Sequence, residues 1–480
     1  MNPFITIKEL KEKLANKEVT QEEVAQFFAA RLEKYSPELN AMLEVYDKKE
    51  FLGKDSENGL LAGIPGVLKN NIGQIDKIQS CGSKLLENYK ATFDATITIR
   101  LKDSGACILG RANMDEFAMG ASGEYSAFGP TKNPWNLECS PGGSSSGSAA
   151  AVAAGLVPWA IGTETGGSVR QPAAFCNLVG LYPTYGLFSR NGIVAFASST
   201  DQPAPITRTV YDNALVASAM SGHDSKDPTS LPEPKRNYTK KLDGKLPENL
   251  TIGVIKDSIE NEGVDPEVKE SFEKAVKDLE KLGAKIKYVS LPDLKYGIAV
   301  YFVLIYAEAA SNMARFDGTL YGARDKKADN LVDMYVKTRH DGLGKEVKRR
   351  ILMGNYVLSS GHRGDFFEQA HHVRGAIRAE FDNAFKEVDV LMSPTTPNSA
   401  FKLGSMCDDP VAMYMADYFT IPNCIAGIPA LAVPSGLNKE NMPMSIQFLG
   451  PRLSEELLYR VAYAYEQHTP HHLNTPKGFE

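Results

Sequence analysis

Two short segments combine serine with paired glycines, a composition that could carry out acyl transfer. Residues 141–148 read PGGSSSGS, and residues 162–172 read GTETGGSVRQP. Glycine turns that lead into helices leave backbone amides unpaired and directed at one point. Such a point suits a bound anion or the oxyanion of an acyl-transfer intermediate.

Three kinds of site could use these turns. A nucleotide phosphate loop is excluded because no G-x-x-x-x-G-K-[ST] string occurs and no lysine follows either turn. A nucleophile elbow would place Ser145 at the centre of G-x-S-x-G, after a strand and with a downstream histidine base. Residues 136–141 are not a convincing strand, and none of the eight histidines has a supporting motif. This second alternative is weak but stays open.

The third kind of site uses a lysine base and depends on a further block, residues 63–71 (GIPGVLKNN). With the two serine turns, this block resembles the three sequence blocks of the amidase-signature family, and the resemblance covers nearly the whole chain. It implies a Ser-Ser-Lys triad of Lys69, Ser144 and Ser168. Ser168 would be the nucleophile and Ser144 the proton relay, while Ser145 would be a bystander. The fold that the resemblance implies is a large mixed β-sheet flanked by helices.

Lysine can act as the base only in its neutral form, and its ordinary pKa of about 10.4 leaves little neutral amine at pH 7. Burial disfavours the ammonium form, so we expect Lys69 to be buried among apolar and hydroxyl groups. Its apolar neighbours Ile64, Val67 and Leu68 make this setting plausible.

The resemblance also assigns backbone groups to the site. It implies an oxyanion hole made by the amides of Thr165, Gly166 and Gly167, where glycine permits close approach. It further implies a cis peptide bond before Ser144. A structure in which the glycine turns only pack a helix on a sheet is disfavoured by three blocks in order.

Four further segments resemble the glutamine-hydrolysing subunits of tRNA-dependent amidotransferases, a branch of the same family. They are residues 113–120 (NMDEFAMG), 128–135 (FGPTKNPW), 314–318 (ARFDG) and 344–351 (GKEVKRRI). The last two are the more diagnostic. This resemblance implies that the chain releases ammonia from glutamine. The alternatives are a stand-alone amidase acting on a small or fatty amide, and a non-catalytic binding protein.

Glutamine carries an α-carboxylate and an α-ammonium, so its pocket needs one fixed cation and one fixed anion. Matching family positions suggest Arg350 for the carboxylate, Asp417 for the ammonium and Tyr301 in the pocket wall. Each residue also has an ordinary interpretation: Arg350 in a solvated basic helix face, Asp417 as a helix cap and Tyr301 in the core.

Partners follow from what the chain lacks. Activating a tRNA-bound glutamate with ATP requires a phosphate site and a tRNA surface, but the chain has no phosphate loop, no extended basic cluster and a net charge of −6. ATP and Mg²⁺ are therefore expected on a partner. The expected partners are the B and C subunits of the complex, with tRNA bound mainly through them. No cofactor and no metal site are expected in this chain.

Several positions beside the blocks depart from the family pattern. They are Asn70 for Asp, Ser146 for Gly, Glu164 for Asp, Tyr182 for Lys, and residues 203–205 (PAP) for Ile-Gly-Pro. None removes a triad member. Ser146 is expected to matter most, because a glycine turn that needs a positive φ tolerates serine poorly.

The elements that must position these residues read as α/β. Thr6 and Thr20 each begin a capping box, and apolar residues after the second box form one helical stripe. Short apolar runs at 106–109, 159–161 and 388–392 predict buried strands, and the Ala-rich run at 149–156 predicts a helix. Residues 1–480 are interpreted as one domain.

The second half of the chain contains a loop and a possible insertion. Residues 222–249 are rich in Pro, Lys and Asp and predict a surface loop. A strand at 251–255, a helix opening at Asp265-Pro266 and a strand at 285–291 then predict a β-α-β unit within residues 250–292.

Composition fits a cytoplasmic enzyme with no membrane association. Apolar residues make up 43% of the chain, no run of eighteen apolar residues occurs, and the N-terminus lacks the pattern of a signal peptide. The six cysteines, which include Cys407, form no C-x-x-C pair and no zinc-binding spacing. This pattern favours reduced thiols.

Overall fold

The computed structural model describes residues 1–50, 59–406 and 409–480. Its strands are β1 (Met42–Val45), β2 (Pro65–Lys69), β3 (Cys107–Ala112), β4 (Trp159–Glu164), β5 (Val179–Tyr182), β6 (Gln202–Thr207), β7 (Thr251–Ile255), β8 (Lys285–Val289), β9 (Val390–Pro394), β10 (Ala430–Leu437) and β11 (Pro443–Leu449). Its α-helices are α1 (Ile7–Ala15), α2 (Gln21–Leu39), α3 (Thr96–Asp103), α4 (Ser146–Ala153), α5 (Arg170–Phe175), α6 (Val210–Met220), α7 (Lys256–Glu260), α8 (Pro266–Lys281), α9 (Gly297–Met313), α10 (Leu331–Gly342), α11 (Lys345–Leu358), α12 (Gln369–Ala384), α13 (Pro410–Met415), α14 (Ile421–Ala426) and α15 (Glu455–Gln467).

These strands form one mixed sheet in the order β1-β3-β2-β4-β6-β5-β10-β11-β9-β7-β8. β2 runs parallel to β3 and β4, and β7 runs parallel to β8 and β9. The other ladders are antiparallel. The prediction of a large mixed sheet flanked by helices is confirmed.

The helices at the start of the chain form as their capping residues predict. In both boxes, the threonine side chain accepts from the backbone amide three residues later, and that glutamate accepts from the threonine amide. Along α2, Val24, Phe28 and Leu32 are fully buried, whereas Phe27 is half-buried. The apolar stripe therefore fixes which face of α2 packs on the sheet.

The helix at the centre of the fold is α4, and all eight of its residues are buried. It packs against β2, β3, β4 and β6. Gly147 permits this close packing, because a Cβ there would lie 2.1 Å from the carbonyl oxygen of Ala41. α4 begins three residues earlier than the alanine run predicts, so Ser146 is its first residue.

The other predicted short elements have the right type with shifted bounds. The runs at 106–109, 159–161 and 388–392 correspond to β3, β4 and β9, each displaced or extended by up to three residues. β4 and β9 are buried along their whole length, as expected for strands covered on both faces.

A second hydrophobic cluster lies under α9, α11, α12 and α14, separate from the cluster around α4. α9 packs against the three other helices. By length and hydropathy, the stretch Pro292–Met313 could also cross a membrane, and half of its most apolar window is buried inside the protein. This cluster supports the helices that carry Tyr301 and Arg350.

The β7-α8-β8 unit extends the far edge of the same sheet. Asp265 accepts from the amide of Glu267 and Pro266 is the first helical residue, which confirms the predicted helix start. Residues 222–249 contain no helix or strand, and Tyr238 anchors them because its ring is buried against Tyr459. The single-domain organisation stays a prediction.

Candidate active site

Lys69 is the last residue of β2, a strand covered on both faces, and its side chain is fully buried. Its Nζ donates to Ser144 Oγ at 2.7 Å, to Ser145 Oγ at 3.0 Å and to the carbonyl oxygen of Thr163 at 3.1 Å. In the described part of the chain, no carboxylate forms an ion pair with it. The prediction of a buried lysine among hydroxyl and apolar groups is confirmed.

Burial lowers the pKa of Lys69 to about 7, because an ammonium group loses its hydration in this setting. The negative charges of Asp115, Asp201 and Glu164 oppose this shift and keep the pKa from falling further. A substantial neutral fraction therefore exists at pH 7, which a base requires.

Ser144 follows a cis peptide bond after Gly143, as the family resemblance implies. The turn leaves the Ser144 hydroxyl pointing at Lys69, with no intervening group. A Cβ on Gly143 would lie 2.1 Å from Asp115 Oδ2, so only glycine fits beside the first serine.

Ser145 contacts Lys69, which its interpretation as a bystander did not anticipate. Its Oγ accepts from Lys69 and lies 3.2 Å from the carbonyl oxygen of Thr163. Residues 136–144 form turns without a strand, and no histidine contacts Ser145 within the described ranges. The nucleophile-elbow alternative therefore lacks both of its structural requirements.

Ser168 lies in the turn between β4 and α5 and keeps 7% of its surface exposed. Its carbonyl oxygen accepts from the amide of Ser145 at 3.1 Å, which fixes the two serine turns to each other. Among the described residues, its hydroxyl has no hydrogen-bond partner. The structure thus links Ser168 to the residue after Ser144 and leaves the Ser168 hydroxyl without a hydrogen-bond partner in the described residues.

The amides of Gly166 and Gly167 donate to no acceptor in residues 1–50, 59–406 and 409–480. The turn that carries them is held from outside: Thr420 Oγ1 donates to the carbonyl oxygen of Gly166 at 2.7 Å, and Thr165 Oγ1 donates to Asp201 at 2.6 Å. Free, rigidly held amides are what an oxyanion hole needs.

A buried ion pair pins the start of α5 behind this turn. Glu164 accepts from the amides of Val169 and Arg170 at 3.0 and 2.9 Å and from the Arg170 guanidinium. Arg170 also donates to the carbonyl oxygen of Thr420. The family usually has the shorter aspartate at position 164. Here Glu164 bonds the amides at the start of α5 and the Arg170 guanidinium, so the buried pair is fully hydrogen-bonded.

Arg350 lies on the inner face of α11 with 2% of its surface exposed, so it does not belong to a solvated helix face. Its Nε donates to Glu346 Oε1 at 2.7 Å. The guanidinium carbon lies 5.2 to 5.5 Å from three aromatic ring centroids, those of Phe196, Tyr306 and Tyr414. These contacts leave the terminal nitrogens available for a ligand.

Asp417 and Tyr301 both lie directly against the glycine turn. A Cβ on Gly167 would be 2.1 Å from Asp417 Oδ1, and a Cβ on Gly166 would be 2.6 Å from the Tyr301 ring. α14 begins after Thr420 with no side-chain cap, so Asp417 is not its capping residue. Tyr301 is buried, and it is a wall of the site as well as part of the core.

Burial raises the pKa of Asp417 well above its ordinary value, and the charge of Glu164 raises it further. The positive charges of Arg170 and Arg350 act in the opposite direction. Asp417 is therefore a carboxyl group whose ionised form needs a further cation beside it.

The departures from the family pattern are accommodated without strain. Ser146 does not have a positive φ, so the expected strain is wrong: the residue starts α4, and its Oγ lies 3.1 Å from Thr131 Oγ1. Asn70 accepts from Ser80 and from the amide of Cys81. Tyr182 donates to the carbonyl oxygen of Thr200. The segment 203–205 lies within β6.

No group of three potential metal ligands occurs in the part of the chain that the structure describes. Cys81, Cys139, Cys176 and Cys424 are free thiols, and Cys407 lies outside the described residues.

Sequence reasoning missed several residues that shape the site. Glu346 is the clearest case, since its spacing four residues before Arg350 on a helix predicts a pair. Asp201 and Tyr414 gave no such pattern, because their contacts with Thr165 and Glu346 join segments 36 and 68 residues apart. Asp115 belongs to the segment 113–120, but nothing in that segment indicated its bonds to the amides of Gly123 and Tyr125.

The chain matches the family model described as Amidase over residues 23–459. The A subunit of glutamyl-tRNA(Gln) amidotransferase from Halothermothrix orenii is 48% identical over 464 residues, which cover 96% of this chain and 97% of that protein.

Two solved structures extend the comparison. The A subunit of glutamyl-tRNA(Gln) amidotransferase from Thermotoga maritima is 39% identical, with a TM-score of 0.84 over 98% of this chain and 96% of that one. The peptide amidase of Stenotrophomonas maltophilia is 30% identical, with a TM-score of 0.82 over 99% and 98%.

Proposed function

Because this chain belongs to the amidase family, we propose that it hydrolyses the side-chain amide of glutamine as the glutaminase subunit of a tRNA-dependent amidotransferase. The ammonia converts Glu-tRNA(Gln) to Gln-tRNA(Gln) in translation. The observation that carries the proposal is a buried acid, Asp417, packed against the glycine turn, together with a buried cation, Arg350, whose charge acts on Asp417.

In this mechanism, Ser168 Oγ attacks the amide carbon of glutamine. Its proton passes to Ser144, and the Ser144 proton passes to neutral Lys69, so one base activates a nucleophile that it does not touch. The free amides of Gly166 and Gly167 stabilise the oxyanion. Lys69 then returns the proton to the departing nitrogen, and ammonia leaves a glutamyl ester on Ser168. Water hydrolyses that ester with the same base.

Recognition of glutamine uses opposite charges at its α-carbon. The terminal nitrogens of Arg350 bind the carboxylate, held in place by Glu346 and the surrounding aromatic rings. Asp417 binds the ammonium. The incoming positive charge stabilises the ionised form of Asp417, which burial alone disfavours.

A stand-alone amidase is the second candidate, and it is supported by the similarity of the chain to a peptide amidase. An apolar amide offers no carboxylate to Arg350 and no ammonium to Asp417, and Asp417 would then have no ion-pair partner in the described part of the chain, whereas Arg350 would keep Glu346. The near full-length identity to the A subunits of glutamyl-tRNA(Gln) amidotransferases favours glutamine.

The proposed partners are the B and C subunits, which would hold ATP, Mg²⁺ and most of the tRNA. Support comes from the subunit names of the relatives and from apolar side chains exposed on α10 and α11. Leu352, Val332 and Val336 are 70%, 69% and 60% exposed, which is typical of a surface that a partner covers. The free thiols agree with a cytoplasmic location.

The test is ammonia release from glutamine by the purified chain, alone and assembled with the candidate B and C subunits. An apolar amide of similar length, such as hexanamide, serves as the competing substrate, and a Ser168→Ala chain serves as the blank. The proposal expects glutamine turnover that the partners increase. Turnover of hexanamide without turnover of glutamine would establish the stand-alone amidase instead.

A further inference from the structure

Two buried carboxyl groups have no part in the proton relay, yet each holds one of the serine turns. Asp115 is fully buried three residues after β3, and Asp201 is 7% exposed immediately before β6. The sheet order β3-β2-β4-β6 places these two strands on opposite sides of β2, which ends at Lys69. The two acids therefore approach the lysine from opposite sides.

Asp115 supports the first turn. Its carboxylate accepts from the amides of Gly123 at 3.0 Å and Tyr125 at 2.9 Å. Its own amide donates to the carbonyl oxygen of Ser144, and its Oδ2 occupies the space that a Cβ on Gly143 would need. The carboxylate thus packs directly on the peptide that orients the Ser144 hydroxyl.

Asp201 supports the second turn in the same manner. It accepts from Thr165 Oγ1 at 2.6 Å and from the amides of Phe196 at 2.8 Å and Ala197 at 2.9 Å. Thr165 begins the turn that presents Gly166, Gly167 and Ser168. Movement of Asp201 would therefore move the oxyanion amides.

Both carboxyl groups are ionised when Lys69 works. Burial raises the pKa of Asp115 and of Asp201 to about 6 each, and their hydrogen bonds limit the rise. The positive charges of Lys69 and Arg350 oppose the rise in the pKa of Asp115, and that of Arg190 opposes the rise in the pKa of Asp201. At pH 7 to 8 each acid therefore presents a negative charge to the base.

Two other acidic groups, Glu164 and Cys81, also act on the pKa of Lys69, but neither leaves a free negative charge beside it. Glu164 is neutralised by its buried pair with Arg170. Burial raises the pKa of the Cys81 thiol well above its ordinary value, so this group carries no charge. Asp115 and Asp201 remain as the ionised groups acting on the lysine that form no ion pair within the described residues.

We propose that Asp115 and Asp201 are positioning residues that hold the two serine turns in register and stabilise the ammonium form of Lys69 during acylation. When Ser168 attacks, one proton ends on Lys69 and a buried cation forms. Two fixed anions reduce the cost of that cation in a site that excludes water. This inference rests on the triad of the proposed function but not on glutamine as the substrate.

The test follows the rate at which a small alkyl fluorophosphonate modifies Ser168 as a function of pH, in the full chain assembled with its partner subunits. In this reaction the Ser168 Oγ–P bond forms, fluoride leaves and the serine proton ends on Lys69. The probe needs no glutamine recognition, so a failure of glutamine hydrolysis leaves this test intact. Mass spectrometry locates the adduct.

The variants are Asp115→Asn and Asp201→Asn, each of which removes a charge and keeps the shape. Removing a negative charge disfavours the ammonium form, so the acid limb of the rate profile should move to lower pH. The plateau rate should fall about tenfold or more, since the developing cation loses an electrostatic partner. Asp201→Glu, which keeps the charge, should keep the acid limb in place.

Asp212→Asn is the matched control. Asp212 is also buried and has its pKa raised by burial to about 6, but it belongs to the first turn of α6 and accepts from the amides of Ile7 and Lys8 at the start of α1. It should lose stability without any shift of the limb. Unshifted limbs in both site variants would overturn the proposal, as would an equal shift in Asp212→Asn.

Folding of each variant is checked by thermal unfolding. If Asp115→Asn does not fold, the position of the acid limb in the pH–rate profile of Asp201→Asn decides the test. An unmodified Ser168 in the wild-type chain would contradict the triad itself and therefore this role of both carboxyl groups.

Discussion

Lys69 and the second serine turn lie at the ends of the neighbouring strands β2 and β4, and the first serine turn leads into α4, whereas Arg350, Asp417 and Tyr301 come from the helical layer over the second cluster. The first region bonds its groups to one another, as Lys69 does to Ser144 and Ser145. In the second region, Arg350 pairs with Glu346 on its own helix, and Asp417 packs against the glycine turn. The proposed chemistry thus lies at the sheet, while the proposed recognition of glutamine comes from the helical layer outside it.

Substitutions in the two regions should therefore affect different kinetic constants of glutamine hydrolysis. A change in the central region should lower kcat, because the groups there act on the reacting atoms. A change in the helical layer should raise KM, because the groups there are proposed to contact only the α-carbon substituents of glutamine.

The largest effect is expected for Ser168→Ala, which removes the nucleophile. Glutamine hydrolysis should fall by about 10⁴-fold or more, with little change in glutamine binding. Steady-state ammonia release and equilibrium binding of glutamine measure the two quantities.

Ser145→Ala is the matched control for that variant. It removes one hydroxyl bonded to Lys69 and leaves the nucleophile, so a loss of roughly tenfold is expected. Equal losses in the two variants would contradict the assignment of Ser168 over Ser145.

An intermediate effect is expected for Arg350→Gln. Losing a buried charged contact costs about 2–4 kcal/mol, or roughly 30- to 1,000-fold in kcat/KM, and most of it should appear in KM. 4-Aminobutyramide lacks the α-carboxylate, so its hydrolysis should be nearly insensitive to the substitution.

Arg349→Gln is the control for the charge of α11. Arg349 pairs with Glu346 from the half-exposed side of the same helix, and its loss should change kcat/KM by less than about threefold. Similar losses for the two arginines with glutamine would show that α11 acts only through its net charge.

The smallest effect is expected for Ser146→Gly, which restores the residue usual in the family. Ser146 already has helical geometry and a hydroxyl contact, so activity should stay within about twofold and stability should fall by about 1 kcal/mol. A marked gain in activity would show that the serine does strain the turn.

The central region could largely be predicted from the sequence. Glycine pairs, the serines that follow them and the lysine of the first block are local patterns, and burial of Lys69 follows from what a lysine base requires. The cis peptide came from the family resemblance alone. The contact between Lys69 and Ser145 could not be foreseen, since neighbouring hydroxyls look alike in sequence, and neither could the support of the two turns by Asp115 and Asp201.

The helical layer was less predictable because its contacts join distant segments. Tyr414 reaches Glu346 across 68 residues, and Thr420 reaches Gly166 across 254. No local periodicity encodes such pairs. Arg350 and Asp417 were identified through the family resemblance, and the strain expected at Ser146 was wrong because the start of α4 was placed too late.

The most direct test of the account is the pH dependence of kcat/KM for glutamine in the assembled complex. The free enzyme must hold Lys69 neutral, so the rate should rise with pH through an acid limb at about pH 7 and then level. A limb at about pH 10, the ordinary range of lysine, or a flat profile across neutral pH would contradict a buried neutral lysine as the base.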